Sequence, residues 1–187
     1  VVRPLLRFFM VFHPDLITWF SFLFSAGAGY ALWKTSGRML LLVPVMLLGR
    51  LMCNLMDGMV AREKGISSKR GEALQEAVDR FSDSAILLGL SFSPQGNILL
   101  GIFTITLVLI SSYLGILKKA VGGEREFGGI MGKVDRVWVV IVCSILQAFY
   151  KKLGPFTFVE LALLIILVGS VITIVGRALS IRRDIER

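Results

Sequence analysis

Six runs of predominantly apolar residues, each bounded by charged or turn-forming residues, organise the chain. They cover Leu16–Trp33, Met39–Ala61, Leu74–Phe92, Ile98–Leu117, Val137–Tyr150 and Phe158–Ala178. Such runs approach the length that an α-helix needs to cross hydrocarbon, and together they predict an all-α integral membrane protein with six transmembrane helices. The connections at 34–38, 93–97 and 151–157 are short and hold Gly or Pro, as tight turns between antiparallel helices do. Those at 62–73 and 118–136 are longer, polar and basic. Ahead of the first run, residues 1–12 alternate Arg3 and Arg7 with Leu5, Leu6, Phe8, Phe9 and Phe12. That is the pattern of a short amphipathic interfacial helix, here 1–13, lying among lipid headgroups. Pro14 breaks it, and Asp15 is expected to cap the first spanning helix. With no internal repeat, low-complexity tract or linker, residues 1–187 read as a single membrane domain.

Composition supports the same class. The chain is 55% apolar and only 18% charged, with a mean hydropathy of +0.77, more apolar surface than a soluble domain of 187 residues can bury. Its net charge of +8 is not gathered into a nucleic-acid-binding face but parcelled between the apolar runs, which points to membrane lipids rather than nucleic acid. With the N-terminus in the cytoplasm, that side holds Arg3, Arg7, Arg62, Lys64, Lys69, Arg70, Lys118, Lys119, Arg125, Lys133, Arg136, Arg177, Arg182, Arg183 and Arg187. The opposite side holds Lys34, Arg38, Lys151 and Lys152. This asymmetry predicts that both termini and the two long loops are cytoplasmic. Cys53 and Cys143 sit inside apolar runs, which excludes a disulfide framework and a cysteine metal site. A single histidine, His13, argues against mechanisms that need a His base with a separate His ligand, HExxH zinc chemistry among them.

Candidate chemistry is concentrated between Arg50 and Asp83. Ionisable groups at Arg50, Asp57, Asp79, Arg80 and Asp83 fall within spanning runs, where each costs roughly 3 kcal/mol unless paired or wet. At about 100° per residue, Arg50, Asn54, Asp57, Gly58 and Ala61 share one face of the second run. Gln75, Glu76, Asp79 and Asp83 share one arc of the third. Facing carboxylates repel unless a cation lies between them, and an all-oxygen set without His or Cys suits a hard ion such as Mg²⁺ or Mn²⁺. Arg50 and Arg80 read as neutralising the carboxylates. Lys133, Asp135 and Arg136 open the fifth run, and Thr173 and Arg177 close the sixth on the same side, placing cations suited to phosphate there. For Arg177, with Arg182 and Arg183, anchoring among headgroups is the alternative. A small transporter is the rival class, although its polar groups would lie at mid-membrane rather than at one end of two helices.

The stretch Asp57-Gly58-x-x-Ala61-Arg62, eight residues, Gly71, then Asp79 resembles the signature D-x-x-D-G-x-x-A-R-x8-G-x3-D-x3-D of the CDP-alcohol phosphotransferase (CDP-alcohol phosphatidyltransferase) family. Pro14-Asp15-x-x-Thr18 is similar to the family's Pro-Asn-x-x-Thr start. Asn54 and Gln75 stand where the family has its first and third aspartates. An amide oxygen can coordinate a cation but brings no charge; Glu76 and Asp83 are the nearby carboxylates able to restore it. The resemblance implies transfer of a phosphatidyl-type group from a CDP-activated lipid to an alcohol acceptor, with release of CMP, by a homodimer in phospholipid synthesis. It further implies Mg²⁺ or Mn²⁺ held by Asp57 and Asp79 with Asn54, Gln75, Glu76 and Asp83. Asp79 takes the place of the general base. Gly58, Ala61 and Gly71 let the nucleotide approach, and Arg62, Lys133, Arg136 and Arg177 serve donor or acceptor phosphates. The competing apportionments are transfer from a CDP-linked polar alcohol to diacylglycerol, and an impaired member acting as a scaffold.

Overall fold

The computed structural model describes residues 2–120 and 129–185, all-helical with no strand among the described residues. In chain order it has α1 (Val2–Phe9), α2 (Pro14–Lys34), a 3-10 turn (Gly37–Leu41), α3 (Leu42–Glu63), α4 (Lys69–Phe92), α5 (Ile98–Ala120), α6 (Lys133–Phe149) and α7 (Phe158–Ile185). Arg125 and Arg187, counted above among the basic residues, lie outside the described residues, as do the side chains of Arg3 and Lys119.

Four segments, Pro14–Lys34, Gly37–Glu63, Ile98–Lys118 and Phe158–Asp184, are long and apolar enough to cross a membrane. The other two long helices differ for separate reasons. Charges crowd α4 between Lys69 and Asp83, and α6 has 17 residues, about 26 Å at 1.5 Å per residue. Leu55, Phe81, Leu88, Phe103, Val168 and Val171 are exposed on the outside of the bundle. Water would penalise such a surface, whereas lipid accepts it. The chain is an integral membrane protein.

Helix ends correct the expected boundaries. Asp15 was expected to cap α2, but His13 occupies that position, its Nδ1 accepting from the Asp15 N–H at 3.3 Å. Pro14 fits the first turn because it has no N–H to satisfy, which moves the cap one residue ahead of it. Ser68 caps α4, its Oγ accepting from the Gly71 N–H at 3.1 Å. That helix therefore begins at Lys69 rather than near Leu74, and much of the expected 62–73 loop is helical. The extra turn is charged, which a helix end outside hydrocarbon tolerates.

Polarity changes along the inner faces of the helices. On α3 the buried series runs from Val43 and Leu47 to Arg50 and Asp57; on α4 it runs from Asp79 and Asp83 to Ile86, Leu87 and Leu90. On α2, Thr18, Ser21 and Ser25 precede Ala28, Ala31 and Leu32. Antiparallel packing aligns these changes, so an apolar core around Leu32, Leu47, Leu90, Leu163 and Ile166 fills one end and polar side chains gather at the other. A separate apolar cluster of Ile17, Cys53, Met56 and Val60 receives Leu6, Phe9 and Phe12 from the N-terminal segment.

Helices α2 and α4 approach backbone to backbone through glycine. A Cβ on Gly29 would stand 2.3 Å from the Ala85 carbonyl oxygen, and one on Gly89 would stand 2.2 Å from the Gly29 carbonyl oxygen. Neither neighbour can give way, because both are backbone. Gly29→Ala and Gly89→Ala are expected to cost about 1–3 kcal/mol each and to lower the melting temperature in detergent by several degrees. Unchanged melting of both variants would show that the crossing is not this close.

Candidate metal and substrate site

The polar ends of α2, α3, α4 and α6 surround a cavity of about 1060 Å³, to which α5 and α7 add Ser112, Gly115 and Arg177. Asp57, Asp79, Asn54, Gln75, Glu76, Gly58, Ala61, Arg62, Gly71, Lys133, Arg136 and Arg177 all line it. The helical arcs read from the sequence thus converge on one space. Asp83 is absent from that lining.

Neutral donors alone hold Asp57, which is buried. Its Oδ2 accepts from Thr18 Oγ1 at 2.9 Å, and its Oδ1 accepts from the Gly58 N–H at 2.6 Å and from Gln75 Nε2 at 3.1 Å. Ser21 Oγ donates to Asn54 Oδ1 at 2.8 Å, while Asn54 Nδ2 is buried without a hydrogen-bond partner among the described residues. Across the cavity, Lys133 Nζ lies 2.5 Å from both oxygens of Asp79. Glu76 is paired one turn along its own helix with Arg80 at 2.9 Å.

Asp83 was expected to contribute to a metal shell, and the structure gives it different neighbours. Its Oδ1 lies 2.6 Å from Arg50 Nη2 and its Oδ2 lies 2.6 Å from Arg136 Nη2, with all three side chains buried. Arg136 Nη1 also donates to the Met131 carbonyl at 3.1 Å. Arg136, expected to meet a phosphate, is thus committed to this cluster although it borders the cavity. Arg177 reaches the site edge while donating from Nη1 to the Ser111 carbonyl at 2.5 Å.

Sequence reasoning singled out Thr18 only through its motif and did not find Ser21. A signal was present: Thr18, Ser21 and Ser25 recur at helical spacing in an otherwise apolar helix, and a polar stripe of that kind must face a partner. The direct contact between Lys133 and Asp79 left no comparable trace, because it joins residues 54 positions apart.

Residues 11–181 match the CDP-alcohol phosphatidyltransferase family. The chain belongs to this family. Within it, the chain is 32% identical over 112 residues to inner membrane protein YnbA of Escherichia coli (strain K12), a match covering 60% of this chain and 56% of that protein. It is 27% identical over 139 residues to a phosphatidylinositol phosphate synthase of Streptomyces avermitilis, covering 70% of this chain and 57% of that protein. The matched region thus spans little more than half the length of either relative. The fold is that of the Mycobacterium tuberculosis phosphatidylinositol phosphate synthase solved with CDP-DAG bound, with a TM-score of 0.79 at 22% identity over 97% of this chain and 93% of that one. The same M. tuberculosis protein was also solved in complex with manganese and citrate, with a TM-score of 0.80 over 97% of this chain and 88% of that one.

Gly58 separates packing from access in this family member. No atom lies within 4 Å of where its Cβ would stand, so its small size leaves the cavity wall open and does not serve helix contact. Gly58→Ala should preserve or raise the melting temperature, since Ala is favoured over Gly within a helix by about 1 kcal/mol. A loss as large as that of Gly29→Ala would show that Gly58 is packed.

Proposed function

We propose that this chain transfers a phosphatidyl-type group from a CDP-activated lipid to an alcohol acceptor and releases CMP, as a step in phospholipid synthesis. The observation that carries the reading is the convergence of Asp57 and Asp79 from adjacent helices, beside Lys133, in one cavity at the polar end of a membrane bundle. The cavity has room for a nucleotide headgroup, while lipid-facing helices flank it for the acyl chains. The CDP-DAG and manganese bound by the M. tuberculosis relative support a lipid on the donor and a divalent ion in the site.

The donor set fits such an ion. Among the described residues the hydrogen bonds to Asp57 come from neutral donors, and Asn54, Gln75 and Asp79 supply further oxygens around the same cavity. Asp57 and Asp79, with the amide oxygens of Asn54 and Gln75, would hold Mg²⁺ or Mn²⁺. When bound, the ion supplies charge neutralisation for the pyrophosphate and for the departing CMP oxygen. Thr18 and Ser21 orient Asp57 and Asn54 through their hydroxyls. Asp79 takes the proton of the acceptor hydroxyl as its oxygen attacks the lipid-bearing phosphorus; the bond from that phosphorus to CMP breaks in line. Gly58, Ala61 and Gly71 keep the wall low enough for the nucleotide, and Arg62, Lys133, Arg136 and Arg177 add positive potential for phosphate.

In the membrane, α2 to α7 make six crossings, with α1 among the headgroups. The six helices present alternate ends to the cavity, which supports an even number of crossings and termini on one side. The excess of Lys and Arg at that side supports a cytoplasmic location for the termini and the site. The functional unit is a homodimer.

Labelled CDP-diacylglycerol, incubated with detergent-purified protein and a panel of alcohols with Mg²⁺ or Mn²⁺, is expected to release CMP. Asp79→Asn should reduce that release by about 10²–10⁴-fold, the usual contribution of a positioned base. Absence of CMP under every combination would reject the transferase reading in favour of a scaffold. Tighter binding of a CDP-linked amino alcohol than of CDP-diacylglycerol would reverse the donor assignment.

A further inference from the structure

We infer that the Lys133 ammonium fills one of the cationic positions for which the family signature provides carboxylates, so that this chain binds a single divalent ion, centred on Asp57. The inference rests on the transferase reading of the site.

Charge carries the argument. Four signature aspartates would bring four negative charges, enough to offset two divalent ions. Here two of the four positions are Asn54 and Gln75, which halves that charge. Of the two carboxylates that remain, Asp79 accepts through Oδ2 from Lys133 Nζ at 2.5 Å, and the same ammonium lies 2.5 Å from Oδ1. Neither candidate for restoring the lost charge is available to do so. Glu76 pairs with Arg80 at 2.9 Å, and Asp83 is gripped by Arg50 and Arg136 at 2.6 Å each. Only Asp57 among these four carboxylates is held by neutral donors alone.

A second divalent ion would therefore stand beside Lys133 with its charge largely uncompensated, in a buried setting where such repulsion is weakly screened. One ion meets no such obstacle. Mg²⁺ sites commonly use one or two carboxylates, with the remaining positions taken by water and substrate phosphates. Asp57, an amide oxygen from Asn54 or Gln75, the Asp79 oxygen that accepts no hydrogen bond, and the donor pyrophosphate would make a site of this kind. Lys133 is then a positioning residue: a fixed cation on Asp79 that no chelator removes.

Mn²⁺ bound per chain, counted from the electron paramagnetic resonance signal of the free ion, tests this on the full detergent-purified protein with CDP-diacylglycerol present. The expected count is one. Lys133→Met should tighten Mn²⁺ binding by about tenfold or more by removing a repelling charge, whereas Lys133→Arg should leave it within about threefold. Asn54→Asp combined with Gln75→Asp should add a second ion. Two ions on the unaltered chain, no bound Mn²⁺, or equal affinity in Lys133→Met would each overturn the inference. One Mn²⁺ bound without CMP release would refute the transferase reading alone, and two ions with CMP release would refute the inference alone.

Discussion

Arg50 and Arg136 grip opposite oxygens of Asp83 inside a lipid-facing bundle, and that contact fixes the helices that carry Asp57, Asp79 and Lys133. Three helices meet in it, and each carries site residues nearby. Asp57 lies two turns beyond Arg50 on α3, Asp79 one turn before Asp83 on α4, and Lys133 one turn before Arg136 on α6. Because the three side chains are buried, removing Asp83 strands two arginines away from water, at a cost of about 3–5 kcal/mol, whereas removing one arginine leaves the other paired with Asp83. The cluster thus behaves as a floor beneath the cavity. Above it the groups border the cavity; below it the buried side chains are mostly apolar.

The same geometry divides the carboxylates by their partners. Asp83 is committed to two arginines and Asp79 meets the Lys133 ammonium across the cavity, whereas Asp57 is surrounded by a hydroxyl, a backbone N–H and an amide. Neutral donors orient a carboxylate without cancelling its charge, leaving it able to attract a cation. Replacement of two family aspartates by amides leaves two of the four signature carboxylates lining the cavity. It has confined the uncompensated negative charge to one residue, with a lysine beside the other.

Much of this was legible in the sequence because lipid imposes simple rules. Apolar runs must approach a bilayer in length, and charges inside them must share a face, so the helical arcs of Asn54 with Asp57 and of Gln75 with Asp79 were readable from spacing alone. Helix ends were less so: capping depends on local geometry, and His13 and Ser68 took roles that spacing had assigned to Asp15 or to loop. Asp83 illustrates the remaining limit. Its arc was read correctly, but its partners come from α3 and α6, and the neighbour of a given helix face is a tertiary fact. Lys133 is the same case, since a basic residue at a helix start reads equally well as a phosphate ligand, a headgroup anchor or the partner of a buried carboxylate.

The central claim is that the Arg50–Asp83 contact is a genuine energetic tie, and a double-mutant cycle measures it directly. Melting temperatures in detergent would be compared for the unaltered chain, Arg50→Met, Asp83→Leu and the pair together. Strong coupling is expected, with the double variant melting no lower than Asp83→Leu alone, because that single variant strands both Arg50 and Arg136 whereas the double one strands only Arg136. Simple addition of the two losses would contradict the account.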